Sequence, residues 1–173
     1  NLRHIDYDYT IEIKKNAVES TLRKSLGKEF KIANVLKMDE PYNYRNKLQY
    51  PVGIDNNEKP VMGVYAQRTH SIISTKGCMI QDTLSQNIAN DIFEFVAKNN
   101  IPVYDEKLFK GSIRHIVIRI GKKTNQVMVT LVSNTEKIDK EQELINYITS
   151  KYPEVKTIVK NINNKNTNVI LGQ

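Results

Sequence analysis

The strongest constraint on the fold comes from two apolar stretches separated by a short polar segment. Ile113–Ile120 and Gln126–Val132 are rich in β-branched residues, and Gly121–Asn125 between them consists of residues typical of turns. This arrangement predicts a β-hairpin, because two strands that follow one another so closely pair antiparallel. The chain is therefore expected to contain an antiparallel sheet with this hairpin as part of it.

The remaining periodicities predict helices on one side of that sheet. Helical spacing of apolar residues occurs over about 8–27, where Gly27 is a plausible C-cap, over 82–99, and over 140–151, where Asp139 and Gln142 form a capping-box pattern. Further strands are predicted at 31–38, 44–52, 61–67, 70–74, 156–162 and 167–171. The expected fold is α+β: a mainly antiparallel sheet with helices packed on one face, preceded by an amphipathic helix. Residues 1–30 form an N-terminal helical segment in this interpretation, and 31–173 form the central α+β domain.

Composition narrows the class of protein. The chain of 173 residues has a single cysteine, Cys78, which excludes an internal disulfide and fits a reducing cytoplasm. No apolar run reaches the roughly 20 residues of a membrane helix, and no signal-peptide pattern opens the chain, so a cytoplasmic protein without a membrane partner is expected. The net charge of +7 favours nucleic acid as a partner, although a biased genome composition also produces Lys-rich proteins.

Two segments contain side chains suited to RNA. Tyr44–Tyr50 mixes aromatic, basic and amide residues, which stack on bases, bind phosphates and read base edges. In the predicted hairpin, His115 and Arg119 share one strand face, whereas Arg114 falls on the mostly apolar face near the start of the strand, where it could reach solvent. The alternative for both segments is an ordinary solvated strand face.

The residues show no catalytic centre. His4, His70 and Cys78 have no metal-ligand spacing, Gly-x-Gly does not occur, and no Ser-His-Asp or Cys-His arrangement can be argued. From the residues alone, the chain is a basic α+β domain suited to RNA binding.

Five strings add a family resemblance that spans essentially the whole chain. They resemble, in the same order, the central domain of the bacterial S-adenosylmethionine-dependent RNA (uracil-5-)-methyltransferases, which make 5-methyluridine in 23S rRNA or tRNA. The strings are Tyr44–Gly53, Gly63–His70, Cys78–Gln81, Arg114–Arg119, and Ile158–Asn164 continued by Asn166–Gly172.

The resemblance implies a modular parent enzyme, with an OB-like RNA-binding domain before this region and a methyltransferase domain after it. The expected function is to position RNA, 23S rRNA first and tRNA second, for the methyltransferase domain. The cysteine nucleophile, the base and the S-adenosylmethionine site would lie beyond Gln173, so the chain alone is expected to be inactive. The helix at 8–27 would pack beside that methyltransferase domain.

The resemblance also implies a role for Cys78. Many members hold a 4Fe–4S cluster on four cysteines, and Cys78 matches the ligand in the central domain. The three upstream ligands are absent here, so no cofactor is expected in this chain, and Cys78 by itself is a small thiol.

The residues expected to contact RNA combine the two segments with one further arginine. They are Tyr44, Arg45, Lys47, Gln49, Arg68, His115 and Arg119. The alternatives are a stand-alone RNA-binding module without catalytic activity, and a protein-interaction domain whose charge reflects genome composition.

Overall fold

The computed structural model describes residues 4–29, 32–75 and 77–172. The chain divides into two compact units, Asn1–Pro41 and Tyr42–Gln173. This division falls after Pro41, whereas the sequence interpretation drew the boundary after residue 30.

The first unit contains the expected N-terminal helix, α1 (Tyr7–Leu26). It begins where the Asp6 carboxylate accepts hydrogen bonds from two backbone N–H groups of the first turn, at 3.0 and 3.2 Å. It ends at Gly27, whose φ of 60° lies in the left-handed region and whose N–H donates to the Arg23 carbonyl. The helix was therefore predicted correctly, together with its C-cap.

The segment after α1 differs from the sequence prediction. A strand was expected at 31–38, but residues 32–38 form none, and residue 31 lies outside the described residues. The segment is instead attached to α1 by side chains: the Met38 N–H donates to the Tyr7 hydroxyl at 2.9 Å, and Lys37 pairs with Asp8 at 2.8 Å. Apolar alternation alone does not make a strand where no neighbouring strand completes the hydrogen bonds.

The second unit is a six-stranded sheet with two helices. The strands are β1 (Lys47–Ile54), β2 (Pro60–Tyr65), β3 (Ile72–Ser74), β4 (Ile113–Gly121), β5 (Gln126–Ser133) and β6 (Val155–Ile162); the helices are α2 (Thr83–Lys98) and α3 (Glu141–Lys151). Their order across the sheet is β3-β2-β1-β4-β5-β6. Neighbouring strands are antiparallel except β5 and β6, which are parallel and connected through α3. The α+β class, the central hairpin and both helices are confirmed.

The core lies between the sheet and its two helices. It contains alternate residues of β1, β4 and β5, the inner faces of α2 and α3, and residues of the connecting loops. Its fully buried members include Leu48, Tyr50, Ile88, Ile92, Ile116, Ile118, Val129, Leu144 and Ile148. Each such aliphatic side chain contributes about 1.5–3 kcal/mol through burial. The helices therefore cover one face of the sheet, as predicted.

The two helices begin differently. The Asp82 carboxylate caps α2 by accepting from the Ser85 N–H at 3.0 Å. The residue before α3 is Lys140, in a left-handed conformation with φ 54° and no side-chain cap, so the predicted capping box of Asp139 and Gln142 is wrong. The Gln142 amide donates to the Asn146 side chain instead.

The predicted strand at 167–171 is also wrong, because residues 163–172 are irregular and form no strand. The Asn163 side-chain amide donates to the carbonyls of Val169 and Ile170, at 2.7 and 3.1 Å. The Gly172 N–H donates to the Asn161 side chain at 2.7 Å. Side-chain amides thus occupy the backbone groups that a strand would have paired. Among the described residues, no helix has the length and apolar character needed to cross a bilayer.

Candidate nucleic-acid interface

The sheet face opposite α2 and α3, which we call the far face, carries two basic residues side by side. Antiparallel register places Lys47 of β1 directly opposite Arg119 of β4, and Gln49 opposite Val117. Lys47 and Arg119 are exposed and Gln49 is half-buried. Residues directly opposite each other have Cβ atoms about 4.5–5.5 Å apart, so the two cations are immediate neighbours. Three of the seven residues expected to contact RNA are therefore brought together.

The charge arrangement of this pair is unusual for a sheet. Within the described part of the chain, neither Lys47 nor Arg119 takes part in an ion pair. Like charges directly opposite one another across a strand pair destabilise the sheet. A bound anion such as a phosphate would relieve that repulsion.

Tyr44 and Arg45 lie just before β1 in an exposed segment. Its backbone is held by two hydrogen bonds, from Asn43 N–H to the Met79 carbonyl at 2.8 Å and from Arg45 N–H to the Ile80 carbonyl at 3.0 Å. Both side chains are thus next to the Lys47 end of the far face along the chain, although they do not belong to the strand itself.

Arg68 lies in the turn between β2 and β3. It does not belong to the strands β1 and β4, whose pairing brings Lys47 and Arg119 together. Its φ is 62°, and the turn is closed by a hydrogen bond from the Ala66 N–H to the Ser71 carbonyl at 2.8 Å. The side chain is exposed. The structure therefore does not place Arg68 in one cluster with Lys47 and Arg119.

His115 shares the far face with Arg119 but is buried, with 7% of its surface exposed. It stands opposite Pro51 of β1 and Val132 of β5. Burial, and secondarily the nearby Arg114 guanidinium, lower the pKa of His115 to about 4. The ring is therefore neutral at pH 7, and its Nδ1 atom has no hydrogen-bond partner.

Arg114 corrects the sequence interpretation, which placed it on the apolar face with access to solvent. A β-bulge between Ile113 and His115 makes Arg114 an extra residue, because Ile113 pairs with Ser133 and His115 with Val132. The side chain is 6% exposed.

The Arg114 guanidinium is held inside the protein. Its Nη1 donates to the carbonyls of Asn163 and Lys165, and its central carbon lies 4.4 Å from the centre of the Tyr104 ring. The Nε atom is buried without a partner. Sequence reasoning missed this role, and the available signal was an arginine directly after Ile113 on the mostly apolar face of the strand.

A cavity of about 730 Å³ opens beside these two residues, and we call it the His115 cavity. Its polar and aromatic wall consists of Tyr65, His70, Tyr104, Glu106, Arg114 and His115. The His70 Nδ1 atom lies 2.7 Å from the Glu106 carboxylate, and the His70 and Tyr65 ring centres are 5.7 Å apart. Burial, followed by the Glu106 charge, raises the pKa of Tyr65.

Cys78 is half-buried, and its backbone is held on both sides by the Gln86 side chain, at 2.8 and 3.1 Å. The described residues contain no group of three or more His, Cys, Asp or Glu side chains able to hold a metal. With one cysteine, this chain does not fit a four-cysteine iron–sulfur cluster by itself.

Comparison with known proteins gives a consistent picture. No family profile matches the chain. It is 43% identical over 176 residues to a Clostridium acetobutylicum protein named an uncharacterized RNA methyltransferase, 38% over 172 residues to one of Clostridium tetani, and 36% over 173 residues to one of Staphylococcus aureus. Each match covers 99% of this chain but only 37–38% of the relative.

A solved structure shares the fold. The chain superposes on the crystal structure of the Pyrococcus abyssi tRNA (uracil-54, C5)-methyltransferase in complex with S-adenosyl-L-homocysteine with a TM-score of 0.70. That match has 23% identity and covers 99% of this chain and 38% of the other. The chain thus spans rather more than a third of the length of the relatives that it matches, and it shares the fold of the matched part of the solved structure.

Proposed function

We propose that this chain is the RNA-positioning part of an S-adenosylmethionine-dependent RNA (uracil-5-)-methyltransferase, and that RNA binds along the far face of its sheet. The main support is the Lys47–Arg119 pair, since neither residue has a carboxylate partner in the described part of the chain. Two such adjacent cations form a site for a phosphate. Similarity over 99% of the chain to proteins named RNA methyltransferases supports the assignment.

In this proposal the residues of the chain make different kinds of contact with the RNA. Lys47, Arg45 and Arg119 would neutralise phosphates, and Gln49 would bond a base edge beside them. Tyr44 would stack on an unpaired base. Arg68 would contact RNA separately, from the turn after β2. His115 would bond a base, since a neutral imidazole does not bind phosphate as a cation does.

The chemical step belongs to the rest of the protein in this proposal. S-adenosylmethionine supplies the methyl group when bound, and we place its site, the cysteine nucleophile and the base outside this chain. The chain alone is then inactive. Cys78 would contribute one of four thiolates to a 4Fe–4S cluster in the intact protein, the other three coming from elsewhere. We propose 23S rRNA as the substrate, with tRNA as the alternative.

We also propose that α1 packs beside the methyltransferase domain of the intact protein. Three of its large apolar side chains, Tyr9, Val18 and Leu26, are more than half exposed.

Charge reversal tests the RNA-binding face. Lys47→Glu and Arg119→Glu should each weaken binding of structured 23S rRNA segments and reduce the dependence of log Kd on log salt by about one contact. Lys98→Glu, an exposed site at the end of α2 on the other side of the sheet, is the matched control and should change affinity only slightly. If all three variants bind equally, the proposed face is wrong.

The same titration separates the alternatives. A protein-interaction domain would show little RNA affinity and no steep salt dependence, whereas RNA binding by counterion release weakens steeply with salt. Parallel titration with tRNA tests the substrate assignment, because the preferred RNA should bind more tightly at equal salt.

The reading frame on both sides of this segment separates the enzyme from a stand-alone RNA-binding module. A downstream strand followed by a Gly-rich loop, and then a cysteine in an apolar context, would support the methyltransferase. Three closely spaced upstream cysteines would support Cys78 as a cluster ligand. A start codon near Asn1 with a stop codon near Gln173 would contradict the enzyme assignment.

A further inference from the structure

We propose that the His115 cavity receives one unpaired base of the bound RNA, with the base stacked on the Tyr65 ring and its edge bonded by His115 and Glu106. This inference rests on the proposed function, since it names a second contact for the same RNA. In that function Lys47 and Arg119 bind phosphates on the far face, whereas the cavity would enclose a whole base.

Two side chains that line the cavity, Arg114 and His115, each have a nitrogen atom that is enclosed by the protein without a hydrogen-bond partner. His115 is 7% exposed and its Nδ1 atom has no hydrogen-bond partner, and the buried Nε atom of Arg114 has none either. Leaving a polar atom buried and unpaired costs about 1–3 kcal/mol. Because these two atoms are enclosed, a base in the cavity would bond the part of the His115 ring that lines the cavity and not Nδ1.

The cavity floor is shaped by a close approach at Gly53. A Cβ atom at this position would lie 3.0 Å from Ile72 Cδ1 and 3.4 Å from the Tyr104 carbonyl oxygen. A side chain at position 53 would therefore crowd the wall of the cavity. Glycine keeps the space between β1, β3 and the loop after Val103 open.

The charges around the cavity exclude phosphate as its ligand. The Arg114 guanidinium donates to two carbonyls and covers the Tyr104 ring, so it is largely occupied. The other charged groups lining the cavity include Lys107 and four carboxylates, those of Asp55, Glu58, Asp105 and Glu106. A carboxylate-rich rim repels phosphate but does not repel a neutral base.

The remaining wall suits the shape and bonding of a base. Tyr65, which is 44% exposed, offers a ring for stacking, and its ring lies 5.7 Å from that of His70. A neutral imidazole has one donor and one acceptor, and a carboxylate only accepts. His115, together with the Glu106 oxygen that does not bond His70, can thus bond the mixed donor and acceptor edge that every base presents.

The position of the cavity connects it with the phosphate-binding pair. His115 and Arg119 are four residues apart on one face of β4, a separation of about 13 Å along the strand. A single-stranded RNA segment with its backbone at Arg119 can therefore reach the cavity with a neighbouring base. The base in the cavity would not be the uridine that the enzyme modifies, because that uridine must reach the catalytic groups that the proposed function places outside this chain. It would be a neighbouring base.

The test uses the side-chain NMR signals of the three histidines in the intact chain. Added nucleosides and single-stranded RNA should shift the His115 ring signals saturably, and ribose 5-phosphate should not. Tyr65→Ala should weaken the binding of nucleosides about tenfold through loss of stacking. Tyr147→Ala is the matched control, because Tyr147 is an exposed tyrosine of α3, on the other side of the sheet.

The outcomes separate this inference from the proposed function. If neither nucleosides nor single-stranded RNA move the His115 signals, or if ribose 5-phosphate moves them equally, the base pocket is wrong, whatever the far face does. If nucleosides shift His115 while charge reversal at Lys47 and Arg119 leaves RNA affinity unchanged, the pocket stands and the far-face proposal fails. A dispersed spectrum of Tyr65→Ala shows that the variant is folded.

Discussion

Arg114 and His115 are neighbours in β4 and both are buried, but Arg114 is a cation whereas the His115 ring is neutral at pH 7. The Arg114 guanidinium donates to two carbonyls and lies over the Tyr104 ring. His115 cannot keep a proton, because it is desolvated and lies beside that permanent cation. The alternation of residues in the sequence correctly placed His115 and Arg119 on the same strand face. It did not indicate that His115 is buried while Arg119 is exposed.

The lowered pKa of His115 predicts a pH-dependent stability. Its folded pKa of about 4 is below the unfolded value of about 6.5, so the unfolded chain binds an extra proton between these values. The contribution of the neutral ring is complete above pH 6.5 and is lost as pH falls toward 4, by up to about 3 kcal/mol. Urea unfolding at pH 7 and pH 4.5 measures the loss. His115→Gln should show a smaller decrease between the two pH values, and an equal decrease would contradict the assignment.

The Lys47–Arg119 pair predicts that stability and binding change in opposite directions. Lys47→Gln removes a like-charge contact across two strands, so the free energy of unfolding should rise by about 0.2–1 kcal/mol while RNA affinity falls. Urea unfolding and RNA titration of the same sample provide the two values. The exposed Lys98→Gln should change neither appreciably. A variant that loses stability together with affinity would indicate a structural role for Lys47.

At the scale of elements, sequence patterns succeeded where burial imposes a period and failed where side chains satisfy the backbone. The hairpin of β4 and β5, and the helices α1, α2 and α3, follow from alternation and helical spacing. The expected strands at 31–38 and 167–171 fail where side chains bond the backbone instead: the Tyr7 hydroxyl accepts from the Met38 N–H, and the Asn163 amide donates to the Val169 carbonyl. Such long-range side-chain contacts leave no periodic signal.

The two helix starts in the second unit give a matched prediction. Asp82→Ala should lower the free energy of unfolding by about 0.5–2 kcal/mol, because Asp82 caps α2 and its carboxylate also pairs with Lys122. Asp139→Ala, at the residue that sequence reasoning chose as a cap, should have little effect, since α3 begins after Lys140 without a side-chain cap. Denaturant unfolding of both variants tests the difference. Asp82→Asn should retain most of the capping and lose only the ion pair.

For the whole molecule, the division into two units was only partly visible in the sequence. Gly27 marks the end of α1, but the residues up to Pro41 remain with the helix through Tyr7 and Asp8. The sheet, its core and both candidate RNA-binding features belong to the second unit. The basic residues could be selected from the sequence, whereas the His115 cavity could not, because it combines residues from β1, β2, β3, β4 and three loops.

This division predicts that residues 42–173 fold without the first unit. The shortened chain should unfold cooperatively with a Tm within a few degrees of the full chain, because its core lies entirely within the second unit. Thermal unfolding followed by circular dichroism measures it. A noncooperative transition would show that the first unit is required for the core. RNA titration of the shortened chain would then show whether the far face alone retains affinity.

The bulge in β4 has a consequence for changes in chain length. Ile113 and Ile116 both belong to the core beneath the helices, although in a regular strand residues three apart point to opposite faces. The bulge explains this, because Arg114 has no partner on β5. Removing Arg114 would leave Ile113 directly before His115 and restore an uninterrupted alternation with the same inward residues. The sheet therefore does not need this residue for its core. Its retention matters to the segment containing Asn163 and Lys165, whose carbonyls would otherwise lose their donor.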